Sequence, residues 1–191
     1  MLGTSETRYG AVAMTLHWLL ALAVIGMLVL GKYMAGLARD DPNRFDWIQL
    51  HKSIGITILV LSVARLAWRL INKVPPLPAH MPAWERFAAH ASHVLLYVLI
   101  IGIPLSGWAL ASSSPLGIPT IWFGWFEIPH LPGLQGFADQ HAVEQNFRDT
   151  HEILGNLMIL LLLIHVGAAL KHHFWDRDSV LVRMLPFTRL D

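Results

Sequence analysis

Three stretches of this chain contain no Lys, Arg, Asp or Glu: Arg8 to Lys32, Arg86 to Glu127 and Glu152 to Lys171. A helix that crosses a bilayer needs about 20 mostly apolar residues, and at least the first two stretches are long enough by themselves. A fourth apolar run, from about Phe45 to Leu70, carries Lys52 near its start and Arg65 and Arg69 near its end, where long side chains can snorkel or meet an internal anion. The 191 residues are 54% apolar and 14% charged, and that apolar content is concentrated in these runs. The reading is an all-α membrane protein in one unit, residues 1–191. It forms a four-helix transmembrane bundle, up-down-up-down, with helices at about 10–31, 45–70, 84–111 and 143–175. The first run follows Arg8 as a signal peptide would, but it is longer than a typical apolar signal region and carries His17-Trp18. It is read as a retained span.

The connections are marked by composition. Pro75, Pro76, Pro78 and Pro82 stop the second helix and stiffen the link to the third. Pro104-Leu105-Ser106-Gly107-Trp108 predicts a kink within the third helix. The long segment after it carries Trp122, Phe123, Trp125 and Phe126, an aromatic cluster suited to a membrane interface. Positive charge sets the orientation. With both termini in the cytoplasm, Arg8, Arg65, Arg69, Lys73, Arg86, Lys171, Arg177, Arg183 and Arg189 lie inside, against Lys32, Arg39, Arg44, Lys52 and Arg148 outside.

Cysteine is absent, which excludes disulfides, iron-sulfur clusters and thiolate metal sites and leaves histidine as the main metal-ligand candidate. The formal charge of +1 and the lack of a basic stripe exclude nucleic acid as a partner.

Four histidines, His17, His51, His151 and His165, fall inside the apolar runs. His151 and His165 are fourteen residues apart on the last helix, which separates them by about 21 Å along its axis and only about 40° around it. Antiparallel topology brings His17 level with His165 and His51 level with His151, each about 10–15 Å deep. An ionisable residue at that depth marks a functional site by default, and paired imidazoles from facing helices are a usual way for a bundle core to hold a cofactor. Zinc prefers four N or S ligands, and no third is evident at either level. Haem needs two axial ligands, so two stacked bis-histidine haem b centres fit best; the bland alternative is hydrogen bonding between helices.

Arg65 lies fourteen residues after His51, about 21 Å deeper, level with the other pair. It is either a haem propionate partner or a snorkelling arginine. His90 and His93 share a face at the start of the third helix near the cytoplasmic surface. They suit a propionate, a quinone pocket or a plain interfacial role. His172 and His173, beyond His165, suit a quinone that takes electrons with protons, or simply a cation at the helix C-terminus. His80, His130 and His141 are loop residues, and Trp18 and Trp108 are read as packing or interfacial anchors.

The stretches Thr15-Leu16-His17-Trp18, His51-Lys52-Ser53-Ile54-Gly55, His90-Ala91-Ser92-His93, Pro104 to Trp108, Thr150-His151-Glu152 and Ile164-His165 through His172-His173 together resemble the bacterial cytochrome b561 family, over about Tyr9 to Pro186. Each motif is weak alone; their order and spacing are specific. The resemblance implies a four-helix di-haem b protein of the bacterial inner membrane, with His17, His51, His151 and His165 as axial ligands of the haem iron. It further implies oxidation of superoxide to dioxygen on the periplasmic side and reduction of ubiquinone, with His172 as a quinone contact. Lys52 and Arg148 are then the outer-face cations that steer superoxide. The alternative is a haem b electron-carrier subunit that links a dehydrogenase or hydrogenase partner to the quinone pool.

Overall fold

The computed structural model describes residues 8–186 and 188. Four long helices dominate it: α1 Ala11–Ala35, α2 Arg44–Ile71, α3 Ala83–Ser113 and α4 Gln140–Phe174. All four are long and apolar enough to cross a membrane. Their 25, 28, 31 and 35 residues correspond to lengths of roughly 37 to 52 Å, against a hydrocarbon core of about 30 Å, so each has turns to spare outside it. In α4 the surplus is polar: Glu144, Arg148 and Asp149 stand in its first turns, and the Asp139 side chain caps it by accepting the Ala142 N–H at 2.9 Å.

Small side chains fill the places where helices approach. Ser53, Ser62, Ser106, Ala109, Ser112 and Ser113 are buried, together with Leu20, Ile58, Leu99 and Met158. Small residues let backbones come close, which matters in lipid, where apolar burial drives no association between helices. Ser53 and Ser112 return their hydroxyls to the carbonyls one turn back, Gln49 and Trp108, and so add no unpaired polar group. Leu22, Val29, Val60, Val63, Val94, Val98, Leu160 and Leu163 face outward, as a surface bathed in lipid requires. Close packing is most extensive for α3 with α4, α1 with α2 and α2 with α3. Pro104 sits inside α3, which remains helical through it.

At one face the chain ends meet, consistent with antiparallel spans. Trp18 Nε1 donates to the Met184 carbonyl at 2.8 Å, and Arg8 donates to the carbonyls of Leu185, at 2.7 Å, and Thr188. A short 3-10 helix, η1 Val182–Met184, lies in this segment, and Arg183 reaches the Pro76 carbonyl between α2 and α3. This is called the terminal face below.

At the opposite face the α3–α4 connection, a long segment without a strand signal in its sequence, forms an antiparallel hairpin, β1 Thr120–Trp122 with β2 Phe126–Ile128. Phe123 and Gly124 both take positive φ, 46° and 80°, and the Trp125 N–H bonds to the Trp122 carbonyl at 2.9 Å. That is the turn whose twist suits a two-stranded ribbon. Helix α2 holds the hairpin: Gln49 and Lys52 donate to the Pro119 carbonyl, Ser53 accepts the Phe123 N–H, and Trp122 Nε1 donates to Thr57 Oγ1.

Candidate functional site

The four buried-span histidines come together in two pairs. His17 of α1 and His165 of α4 have ring centroids 6.3 Å apart near the terminal face, and His51 of α2 and His151 of α4 are 6.1 Å apart near the opposite face. Both pairs cross the seam between α4 and the α1–α2 half of the bundle, which is not among the closely packed interfaces of the described residues. Two imidazoles that ligate one metal through nitrogens at about 2 Å have centroids roughly 6 Å apart. Neither pair needs to move far to hold an iron between its rings.

His151 is the most firmly oriented of the four. Its Nδ1 lies 3.0 Å from the Ile103 carbonyl and 3.0 Å from Ser106 Oγ. A carbonyl only accepts, so Nδ1 carries the proton and Nε2 presents its lone pair; this is the arrangement that fixes a metal-ligating histidine. Gly107 makes the approach of α4 to α3 possible here, because a Cβ at that position would lie 2.9 Å from the His151 ring. His51 Nδ1, by contrast, is buried without a hydrogen-bond partner. An orphaned polar atom in an apolar span is costly, and its presence beside an imidazole partner fits a site completed by a bound group. The donor set, imidazoles from facing helices at each level and no thiolate, suits haem b.

His93 of α3 joins the terminal-face pair, its ring centroid 5.6 Å from that of His165. The sequence reading set it near the surface beside His90. It lies ten residues inside α3, as deep as His165 lies inside the end of α4, whereas His90 is exposed. Arg65 reaches the same level: its Nη1 donates to the Ala13 carbonyl at 2.9 Å, one turn before His17, and its guanidinium is 6.0 Å from the Tyr97 ring.

The remaining candidates are scattered. Lys52 donates to the Pro119 carbonyl at 2.8 Å beneath the hairpin, and Arg148 pairs with Glu144 at 2.8 Å on the exposed start of α4. His172 sits among carboxylates, its Nδ1 2.8 Å from Asp178 and 3.0 Å from Asp176, its Nε2 4.0 Å from Glu85. Lys171 bridges Glu85 and Asp176 at 2.7 and 2.8 Å. Glu85, His172 and Asp176 bring their ligand atoms close together, but the Lys171 ammonium already pairs with both carboxylates. His173 packs on Phe174, His80 and His141 are exposed and His130 is half-buried. Trp108 Nε1 donates to the Pro129 carbonyl and ties the long connection to α3. Ile103, Ser106 and Gly107, which orient His151, are not among the site residues read from the sequence, although Ser106 and Gly107 fall in the Pro104 to Trp108 stretch that marks a kink.

A membrane-crossing four-helix bundle with imidazoles opposed across its core defines the class of membrane electron-transfer proteins that carry haem between helices. Comparison with known proteins is more specific. The chain belongs to the prokaryotic cytochrome b561 family, whose model matches residues 8–187. It is 38% identical over 179 residues to cytochrome b561 homolog 2 of Escherichia coli (strain K12), covering 93% of this chain and 91% of that one. It is 30% identical over 190 residues to a protein of Yersinia pestis named probable superoxide oxidase CybB, covering 95% and 98%. Cytochrome b562 of Cereibacter sphaeroides is 26% identical over 190 residues. The protein is thus a multi-pass bacterial membrane protein of electron transfer, and the family implies haem b.

Proposed function

We propose that this protein is a di-haem b superoxide:ubiquinone oxidoreductase of the bacterial inner membrane, with both termini in the cytoplasm. The observation that carries the reading is the pair of opposed imidazoles at each of two levels of one bundle, with α4 supplying one histidine to each. The similarity to a protein named probable superoxide oxidase favours superoxide as the donor. Each haem, when bound, takes up and gives up a single electron at its iron, which suits a one-electron donor on one side and an acceptor collecting two electrons on the other.

The residues have distinct tasks. His51 and His151 hold the periplasmic-side haem, and the His151 Nδ1–H, fixed on the Ile103 carbonyl, keeps Nε2 aimed at the metal. His17 and His165 hold the cytoplasmic-side haem, with Arg65 as a propionate partner. These four imidazoles would hold the two irons, which would supply one-electron transfer without a protein-derived site for dioxygen. Lys52 and Arg148 raise the local concentration of the anion at the periplasmic face. His172, bordered by carboxylates at the cytoplasmic end of α4, contacts the quinone and exchanges protons there. In balance, two superoxide ions, one ubiquinone and two protons give two dioxygen molecules and one ubiquinol.

Stopped-flow mixing of purified protein with superoxide tests this. Haem absorbance should shift to the reduced form, the shift should vanish with superoxide dismutase present, and added ubiquinone should reverse it. Reduction that superoxide dismutase does not affect would sink superoxide as donor.

A further inference from the structure

Beyond the histidine pairs, the terminal face holds a pocket whose charged groups are all cationic. It is lined by Tyr9 and Ala13 of the first span, by Arg65, Trp68, Arg69, Asn72, Lys73 and Val74 along the end of α2, and by Tyr97 of α3. No acidic residue lines it, and no ion pair involves Arg65, Arg69 or Lys73 among the described residues. Arg65 and Arg69 both stand over the Tyr97 ring, at 6.0 and 5.8 Å, so two guanidiniums are held close together without a counter-ion. Trp68 Nε1, a pure donor, is buried and has no hydrogen-bond partner. Like charges gathered beside an orphaned donor are costly unless an anion satisfies them.

The three cations recur every four residues, from Arg65 through Arg69 to Lys73, just past the last residue of α2, Ile71. Arg69 lies one turn, about 6 Å, beyond Arg65 along α2, and Lys73 follows the extended C-cap residue Asn72. Arg65 faces inward, on the Ala13 carbonyl one turn from His17. Arg69, Asn72 and Lys73 form the part of the pocket at the end of the span, the depth at which a crossing helix meets headgroups. Basic pockets between membrane helices at that depth suit phosphate-bearing headgroups.

We propose that this pocket binds the phosphate of an anionic phospholipid from the leaflet at the terminal face, with Arg69 and Lys73 as its charged contacts and Trp68 Nε1 as a neutral donor. The acyl chains then lie in the groove beside α2, whose outward residues Val63 and Leu70 are exposed and apolar. The proposal does not depend on which molecule donates electrons.

Detergent-purified, delipidated holoprotein is titrated with phosphatidylglycerol, phosphatidylcholine or inorganic phosphate and followed by native mass spectrometry and thermal shift. One phosphatidylglycerol should bind per chain, ahead of phosphatidylcholine. In R69Q/K73Q the affinity should fall by about thirtyfold, from roughly two lost headgroup contacts, while K32Q at the opposite face should bind as the wild type does. An unchanged haem spectrum in each variant shows that the fold is intact, and R69K with intact K73 should restore most of the binding if the double variant proves unstable. Equal phosphatidylglycerol binding by wild type and R69Q/K73Q would overturn the proposal. A thermal shift reproduced in full by inorganic phosphate would overturn the lipid as its source.

Discussion

Gly107 stands where a single methyl group would come within 2.9 Å of the His151 ring, which α3 also holds through the Ile103 carbonyl. Gly107→Ala should therefore displace His151, at an overpacking cost of about 1–3 kcal/mol, and lower haem content from two toward one per chain in a pyridine haemochrome assay. Gly102→Ala, where nothing lies within 4 Å of the added methyl, is the matched control and should keep both haems. His51→Ala and His165→Ala should each remove one haem, whereas exposed His90→Ala should remove none; retention of two haems in either ligand variant would refute the assignment. At this scale the two histidine pairs were legible because topology converts position along a helix into depth. His93 was legible by the same counting, ten residues inside α3, but sharing a face with exposed His90 drew it to the surface in the reading. The carboxylates around His172 were not legible. Glu85 meets it through the packing of α3 on α4, and Asp178 through the fold-back of the chain beyond α4.

The helices themselves could be read from hydropathy, since an uncharged run of span length has few other fates in a bilayer. Their ends could not be read as well: α4 begins at Gln140 rather than 143, because the Asp139 cap and polar residues such as Glu144 and Arg148 extend it past the apolar part. The hairpin was missed for a different reason. Its strands are three residues each, too short for alternation to show, and its turn places a phenylalanine at positive φ, a position where Asn or Gly is the usual signal. What holds it is Ser53, 1% exposed, whose hydroxyl lies 2.8 Å from the Gln49 carbonyl and 3.2 Å from that of Ile121 while accepting the Phe123 N–H at 3.0 Å. Ser53→Ala leaves that N–H without its partner and should cost about 1–3 kcal/mol. Hydrogen exchange at the Phe123 amide should rise well before exchange in α2; protection equal to wild type would show that the hairpin is held by other contacts.

Across the whole molecule, the seam between α4 and the α1–α2 half is not among the closely approaching helix pairs of the described residues, and the two imidazole pairs and a Lys32–Asn156 hydrogen bond face each other across it. Haem-depleted protein should accordingly lose thermal stability and become open to protease at α4, with α1 and α2 still protected; equal melting of haem-loaded and haem-depleted forms would contradict this. The proposed steering of superoxide by Lys52 and Arg148 would likewise be a property of the whole face. Raising ionic strength from about 0.01 to 0.15 M shortens the screening length from roughly 30 to 8 Å and should slow haem reduction by superoxide, while quinone reduction at the far face stays unchanged. Because α4 gives a residue to both pairs, neither can be complete until the last of the four spans has left the ribosome and entered the bilayer. On the proposed assignment, haem would then be taken up only at the close of translation, and a ribosome halted before α4 would waste amino acids but strand no iron porphyrin.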